Sequence, residues 1–292
     1  MILDDFYYQL SVIVIIGLLF GSFYNVVIFR SLKKQSIIYP PSTCPDCNNR
    51  LLWWQNIPIV SYLFLRGKCY FCKNPISLQY PTVELITTLL FAGLFIKFGL
   101  TLVFFKQVFI LSLLLVLAII DIKQKEIPIH LTIILAFSLL FGKINFVALG
   151  LVLLGVYCSK FILDKIFKKT IIGEGDIIVL SILAGIGGVN ILKLFGLILI
   201  THFVICLPSF IKKYGVLKSG MLFFVSYSIL FAHKIYQFEC NNYVLGFVCI
   251  LLLSSLFFFV RSLIRNIKIA QNETRIPLIP AIFVGYLIMV LL

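Results

Sequence analysis

Leu111-Ser-Leu-Leu-Leu-Val-Leu-Ala-Ile-Ile120 is a run of ten residues with a single hydroxyl, and it leads straight into Asp121. With the apolar residues before it, it forms a stretch over 103–122, near the ~20 residues that a helix needs to cross the hydrocarbon core of a bilayer. Similar stretches recur along the chain, at about 8–29, 81–99, 127–142, 144–164, 176–190, 190–211, 218–236, 243–261 and 277–292. The 292 residues are 61% hydrophobic and only 12% charged, with a mean hydropathy of +1.11. A soluble domain carries about 25% charged residues, so this chain has too little polar surface to cover a water-facing exterior. The expected fold is an all-α polytopic membrane protein of about 8–10 transmembrane helices.

The formal charge of +14 has a topological explanation. If the N-terminus lies outside, all but Lys97, Lys106, Lys143, Lys193 and Lys234 of the 25 basic residues fall in cytoplasmic stretches or at their edges, as the positive-inside bias demands. Nucleic acid is therefore not an expected partner, whereas the lipid bilayer is. The start, Met1-Ile-Leu-Asp-Asp5, is acidic where a cleaved signal peptide is basic, so the first apolar run reads as a retained span.

Residues 31–79 break the membrane pattern, being rich in Pro, Asn, charge and cysteine. Two pairs, Cys44-Pro-Asp-Cys47 and Cys69-Tyr-Phe-Cys72, stand 21 residues apart (48–68). CxxC pairs at this kind of separation read as a four-cysteine zinc site, structural because four protein ligands leave no open position. Disulfides are disfavoured in a reducing cytoplasm. Trp53 and Trp54, between the pairs, read as packing or interfacial residues. Cys158, Cys206, Cys240 and Cys249 are scattered and read as buried apolar thiols. No internal repeat stands out. The expected division is an N-terminal transmembrane helix over 1–30, a cytoplasmic zinc-binding insert over 31–79 and a polytopic core over 80–292.

With 11 acidic residues in the chain, each one near a span carries information, because an ionisable group inside the membrane is costly. Most sit in loops or the insert, where water explains them. Three remain: Glu84 in Tyr80-Pro-Thr-Val-Glu84, Asp121, and Asp176 in Gly173-Glu174-Gly175-Asp176. In the orientation above all three lie near the cytoplasmic boundary. Either aspartate alone is well explained as a helix-end charge. Together, at matched depth, they form what peptide hydrolysis by water requires, one carboxylate accepting a proton and one donating. Gly173 and Gly175 flank Glu174 and leave room for an extended substrate strand. A proton- or cation-path transporter is the rival reading of intramembrane acids, but it predicts charges near the midplane and gives no role to a cysteine insert. A second rival is an inactive scaffold, against which the presence of both aspartates argues.

The elements in this order resemble the type IV prepilin peptidases, a family of GxGD aspartic peptidases. The resemblance rests on Gly21-Ser-Phe-Tyr-Asn-Val-Val-Ile-Phe-Arg30, the two CxxC pairs, Tyr80-Pro-Thr-Val-Glu84, Asp121-Ile-Lys-Gln-Lys-Glu-Ile-Pro128, Gly173-Glu-Gly-Asp176 and Arg275-Ile-Pro-Leu-Ile-Pro280. It implies that Asp121 and Asp176 are the catalytic pair, with Gly173, Glu174 and Gly175 as the active-site loop. It implies prepilin or pseudopilin substrates, with a basic leader ending in glycine ahead of an apolar helix, cut at the cytoplasmic face of the inner membrane. It further implies N-methylation of the new N-terminus from S-adenosylmethionine, with Asn25, Arg30 and Glu84 as candidate substrate or donor contacts; a peptidase without that second activity is the alternative. Two features depart from the family pattern: Ile178 stands where a lysine is usual, and extra apolar runs lie between the GEGD segment and the last span.

Overall fold

The computed structural model describes residues 2–39, 41–141, 144–167, 173–186, 194, 197–198 and 278–291. The described chain divides into two compact units, residues 1–120 with Leu291 and residues 121–290 with Leu292.

The first unit is built on α1 (Ile2–Leu32), α2 (Val60–Phe64), α3 (Gln79–Phe98) and most of α4 (Leu102–Gln124). Three of these, α1, α3 and α4, are long and apolar enough to cross a membrane. At 1.5 Å per residue the 20 residues of α3 give about 30 Å, one hydrocarbon thickness with nothing to spare. α1 packs along α3, and two small residues set how closely. A Cβ at Gly17 would lie 2.9 Å from Thr88 Cα, and one at Gly21 only 2.6 Å from Glu84 Cα. Gly17-Leu-Leu-Phe-Gly21 is thus a small-xxx-small face that lets two backbones touch, the usual way for helices to associate where lipid offers no hydrophobic drive. Gly21→Val should push the pair apart and cost about 1–3 kcal/mol or more. The check is a lower thermal midpoint in detergent, with Gly93→Val unaffected, since a Cβ at Gly93 meets nothing within 4 Å.

Between α1 and α3 the insert is folded by turns. Its two cysteine knuckles share one hydrogen-bond plan. The amide of Cys44 donates to Asn49 O and that of Cys69 to Asn74 O; Asn48 donates back to Cys44 O and Lys73 to Cys69 O. Two residues further out on each side, Leu51 donates to Ser42 O and Ile76 to Gly67 O. Asn48 and Lys73, each following its second cysteine, have φ of 57° and 62°. Residues 42–51 and 67–76 are therefore a structural repeat, although the expectation from sequence is none; only Cys, Cys and Asn coincide, too few identities to register.

The second unit contains the end of α4, then α5 (Ile129–Ala136), α6 (Phe146–Phe167), α7 (Glu174–Gly185) and α8 (Ile279–Leu291). The anticipated span 127–142 is not one α-helix: α5 passes at Phe137 into a 3-10 segment that ends at Phe141. α7 packs on α5 and α6, and its end is tied to the start of α6 by the amide of Asn145 donating to Gly185 O and by a bridge between Ile144 and Ile186. Among the described residues three helices are both long and apolar enough to cross a membrane, and α5, α6 and α8 contribute shorter apolar segments. The expected spans at 218–236 and 243–261 lie outside the described residues, as does nearly all of 190–211.

Candidate active site

Asp121 closes the apolar face of α4 and is 4% exposed. Its burial is compensated by the chain 158 positions later: the amide of Ile279, the first residue of α8, donates to Asp121 Oδ2 at 3.1 Å. A helix N-terminus has unsatisfied N–H groups, and here one of them orients a carboxylate. α4 then stops as Lys125 takes φ 57°, its amide donating to Asp121 O, and Pro128 caps α5.

Asp176 sits in the first turn of α7 with Glu174, behind the extended Gly173 cap. That is a favourable place for negative charge. Gly175 explains how this turn reaches the loop after Asp121: a Cβ there would fall 2.7 Å from Ile127 Cβ. The structure thus brings the 173–176 turn against residue 127, six positions beyond Asp121. Glu174 points away; its side chain is 73% exposed and pairs with Lys160 at 3.1 Å.

Pro has no N–H but suits the first helical position, so Ile279→Pro deletes the bond to Asp121 without breaking α8. A hydrogen bond to a charged group contributes about 1.5–3 kcal/mol, so any reaction that uses Asp121 should slow by about 10–100-fold. Ile279→Val, which keeps the amide, should stay near wild type in the same assay.

In the first unit, Asn25, Arg30 and Glu84 have protein partners. Asn25 Nδ2 donates to Tyr80 O at 3.0 Å and Gly21 O at 3.3 Å. Arg30 Nη1 donates to Ser36 O and Ile37 O, fastening the chain as it leaves α1. Glu84 Oε2 accepts the amide of Ile59 at 2.7 Å, at a β-branched residue held at φ 58°. Sequence reading missed the backbone donors to the buried acids, Ile59 and Ile279 among them, because an amide carries no residue signature.

The four knuckle sulfurs, of Cys44, Cys47, Cys69 and Cys72, lie within 4.8 Å of one another, and Cys44 Sγ is 3.9 Å from Cys72 Sγ. Four thiolates about 2.3 Å from a tetrahedral zinc stand about 3.8 Å apart, so the set fits such an ion. The donors' acidity reflects how closely the sulfurs crowd. The Cys72 amide leads in holding the Cys69 thiol down at about 7. Asn74's amide draws Cys72 down, but desolvation and the three neighbouring sulfurs push it up to about 12. Four thiolates so close together need a cation. Cys158 is exposed rather than buried, contrary to expectation; Cys206, Cys240 and Cys249 lie outside the described residues.

Comparison with known proteins places both units. Residues 15–98 match the bacterial peptidase A24 N-terminal domain, and residues 108–211 match the type IV leader peptidase family. A prepilin leader peptidase/N-methyltransferase of Bacillus subtilis is 38% identical over 190 residues, covering 63% of this chain and 76% of that protein. One from Klebsiella pneumoniae is 36% identical over 184 residues, covering 57% and 80%. With one from Myxococcus xanthus the identity is 38% over 171 residues, covering 56% of this chain and 51%, about half, of that protein. No solved structure matches. On these matches, and with the cysteine insert and both aspartate segments in place, the chain belongs to the type IV leader peptidase family.

Proposed function

We propose that this chain is an intramembrane aspartic endopeptidase that removes the leader from type IV prepilins or pseudopilins and N-methylates the new N-terminal residue. The observation that carries the reading is the packing of Gly175 on Ile127, which sets the Gly-Glu-Gly-Asp176 turn beside the loop leaving Asp121. The relatives' names, prepilin leader peptidase/N-methyltransferase, supply the substrate class and the second activity. No observation favours a transporter.

In this reading Asp121 and Asp176 share the work of hydrolysis. One ionised carboxylate takes a proton from water, whose oxygen attacks the scissile carbonyl, while the other, protonated, donates to the carbonyl oxygen; as the tetrahedral intermediate collapses, the first passes its proton to the leaving amine and the second takes back the hydroxyl proton. The Ile279 amide fixes the Asp121 carboxylate, Gly173 keeps a side chain out of the substrate's way, and Gly175 lets the turn close on Ile127. The Cys44, Cys47, Cys69 and Cys72 set holds a structural zinc ion that fastens the module over 31–79, between the helix of 1–30 and the core of 80–292. S-adenosylmethionine, when bound, supplies the methyl group. Arg30 and Glu84 serve that step by positioning the insert on α1 and α3, and Asn25 by tying α1 to the start of α3. The protein resides in the inner membrane with its N-terminus outside and both aspartates at the cytoplasmic side, and does not act on nucleic acid.

The test is incubation of membranes carrying the chain with a pilin precursor, followed by mass analysis of the product. Loss of the leader with addition of one methyl group supports the full reading, and loss of the leader alone reduces it to a peptidase. A precursor left intact by inserted protein sinks it.

A further inference from the structure

The insert contains a stretch that its zinc-binding role does not explain. From Leu51 to Leu65 the sequence reads LLWWQNIPIVSYLFL, without one charge, bracketed by Arg50 and Arg66. A water-facing loop of this length in a basic module would carry charge. Four of its large apolar side chains are not folded inward: Trp53 is 81% exposed, Phe64 76%, Leu63 68% and Val60 58%. Arg50, Arg66, Lys68 and Lys73 around it are also exposed.

The hydrogen bond from the Ile59 amide to Glu84 fixes the height of this stretch. Glu84 is the sixth residue of α3, about 7.5 Å along the helix from its start. Because α3 is only as long as the hydrocarbon core is thick, its first residues must lie at the boundary, and Glu84 lies below it. The centre of the charge-free stretch is therefore held beside a span at or just under headgroup level, where water cannot surround it.

We infer that residues 51–65 are an interfacial membrane anchor: Trp53, Val60, Leu63 and Phe64 sit in the headgroup–acyl boundary of the bilayer the protein spans, while Arg50, Arg66, Lys68 and Lys73 meet anionic headgroups. Tryptophan with an amphipathic surroundings suits this zone, and an apolar face rimmed by Lys and Arg is the composition of an interfacial segment. Trp54 has a different task, lying edge-on to Phe64 at 6.0 Å and Tyr70 at 5.5 Å to brace the stretch against the second knuckle. The inference does not depend on the proposed reaction.

The chain has two tryptophans, so the fluorescence of the wild type minus that of Trp53→Phe isolates Trp53. The substitution is at an exposed ring and leaves Trp54 packed. In nanodiscs of phosphatidylglycerol, the difference spectrum should be blue-shifted, should lose most of its intensity when the lipid is brominated just below the headgroup, and should resist aqueous acrylamide. A Trp54→Phe variant, with Trp53 as sole indole, should show the same pattern directly. Red-shifted emission quenched by acrylamide would mean that the stretch faces water and would overturn the anchor. Blue-shifted emission that bromine does not quench would mean that protein covers it, whether another segment or a second copy, and would overturn it equally.

Discussion

Asp121→Asn and Asp176→Asn should each lower leader cleavage by about 10²–10⁴-fold, the contribution of a positioned acid or base, while the protein remains inserted. Asparagine keeps the size of aspartate, and its side-chain oxygen still accepts the Ile279 amide that binds Asp121 Oδ2, so the fold should survive. What is lost is the ability to carry the proton. Glu174→Gln makes the contrast sharp. It sits between the two glycines, yet its side chain is 73% exposed and pairs with Lys160, and pairs with an exposed partner contribute about 0–1 kcal/mol. Its cleavage rate should stay within a few-fold of wild type. Precursor and product bands from membranes, normalised to inserted protein, read all three; full activity in either aspartate variant would refute the dyad.

The second large effect is loss of the metal. Zinc content of the purified protein should be one per chain, and Cys69→Ser or Cys72→Ser should lower it sharply. The binding free energy of a structural zinc site is about 10–16 kcal/mol in small domains, and besides a few hydrogen bonds to α1 and α3 and one aromatic cluster, residues 31–79 have only short turns, a 3-10 turn and a five-residue helix, with no strand among the described residues. Limited proteolysis should then cut within 31–79 and spare the spans. If the serine variants keep both their zinc and their protease resistance, the four-cysteine site is not what folds the insert.

How much of this was legible beforehand follows from what kind of signal each feature leaves. The clustering of the four cysteines was legible because a CxxC pair is a local pattern that brings two sulfurs to one side. The three long spans were legible because a bilayer imposes length and apolarity directly on the sequence. Asp121 and the 173–176 turn stood out because acids are so scarce here. Other features were hidden. The Asp121–Ile279 bond links positions 158 apart through an amide common to every residue except proline. The break of α5 into a 3-10 segment at Phe137 is invisible in a stretch that remains apolar throughout. Gly21's role became readable only once Glu84 was opposite it. The polar trio Asn25, Arg30 and Glu84 was visible, but its partners are carbonyls and an amide, which no motif records.

The two knuckles share the same bonds, yet the ten-residue segments 42–51 and 67–76 are almost unalike in sequence. Each segment aims its own pair of sulfurs without help from the other, so the chain between them is under no obligation to the ligands. That intervening loop can lengthen, shorten or change its composition while the knuckles stay as they are. A module organised this way separates upkeep from adaptation: the knuckles persist by local geometry, and selection is free to fit the 52–66 loop to a different membrane.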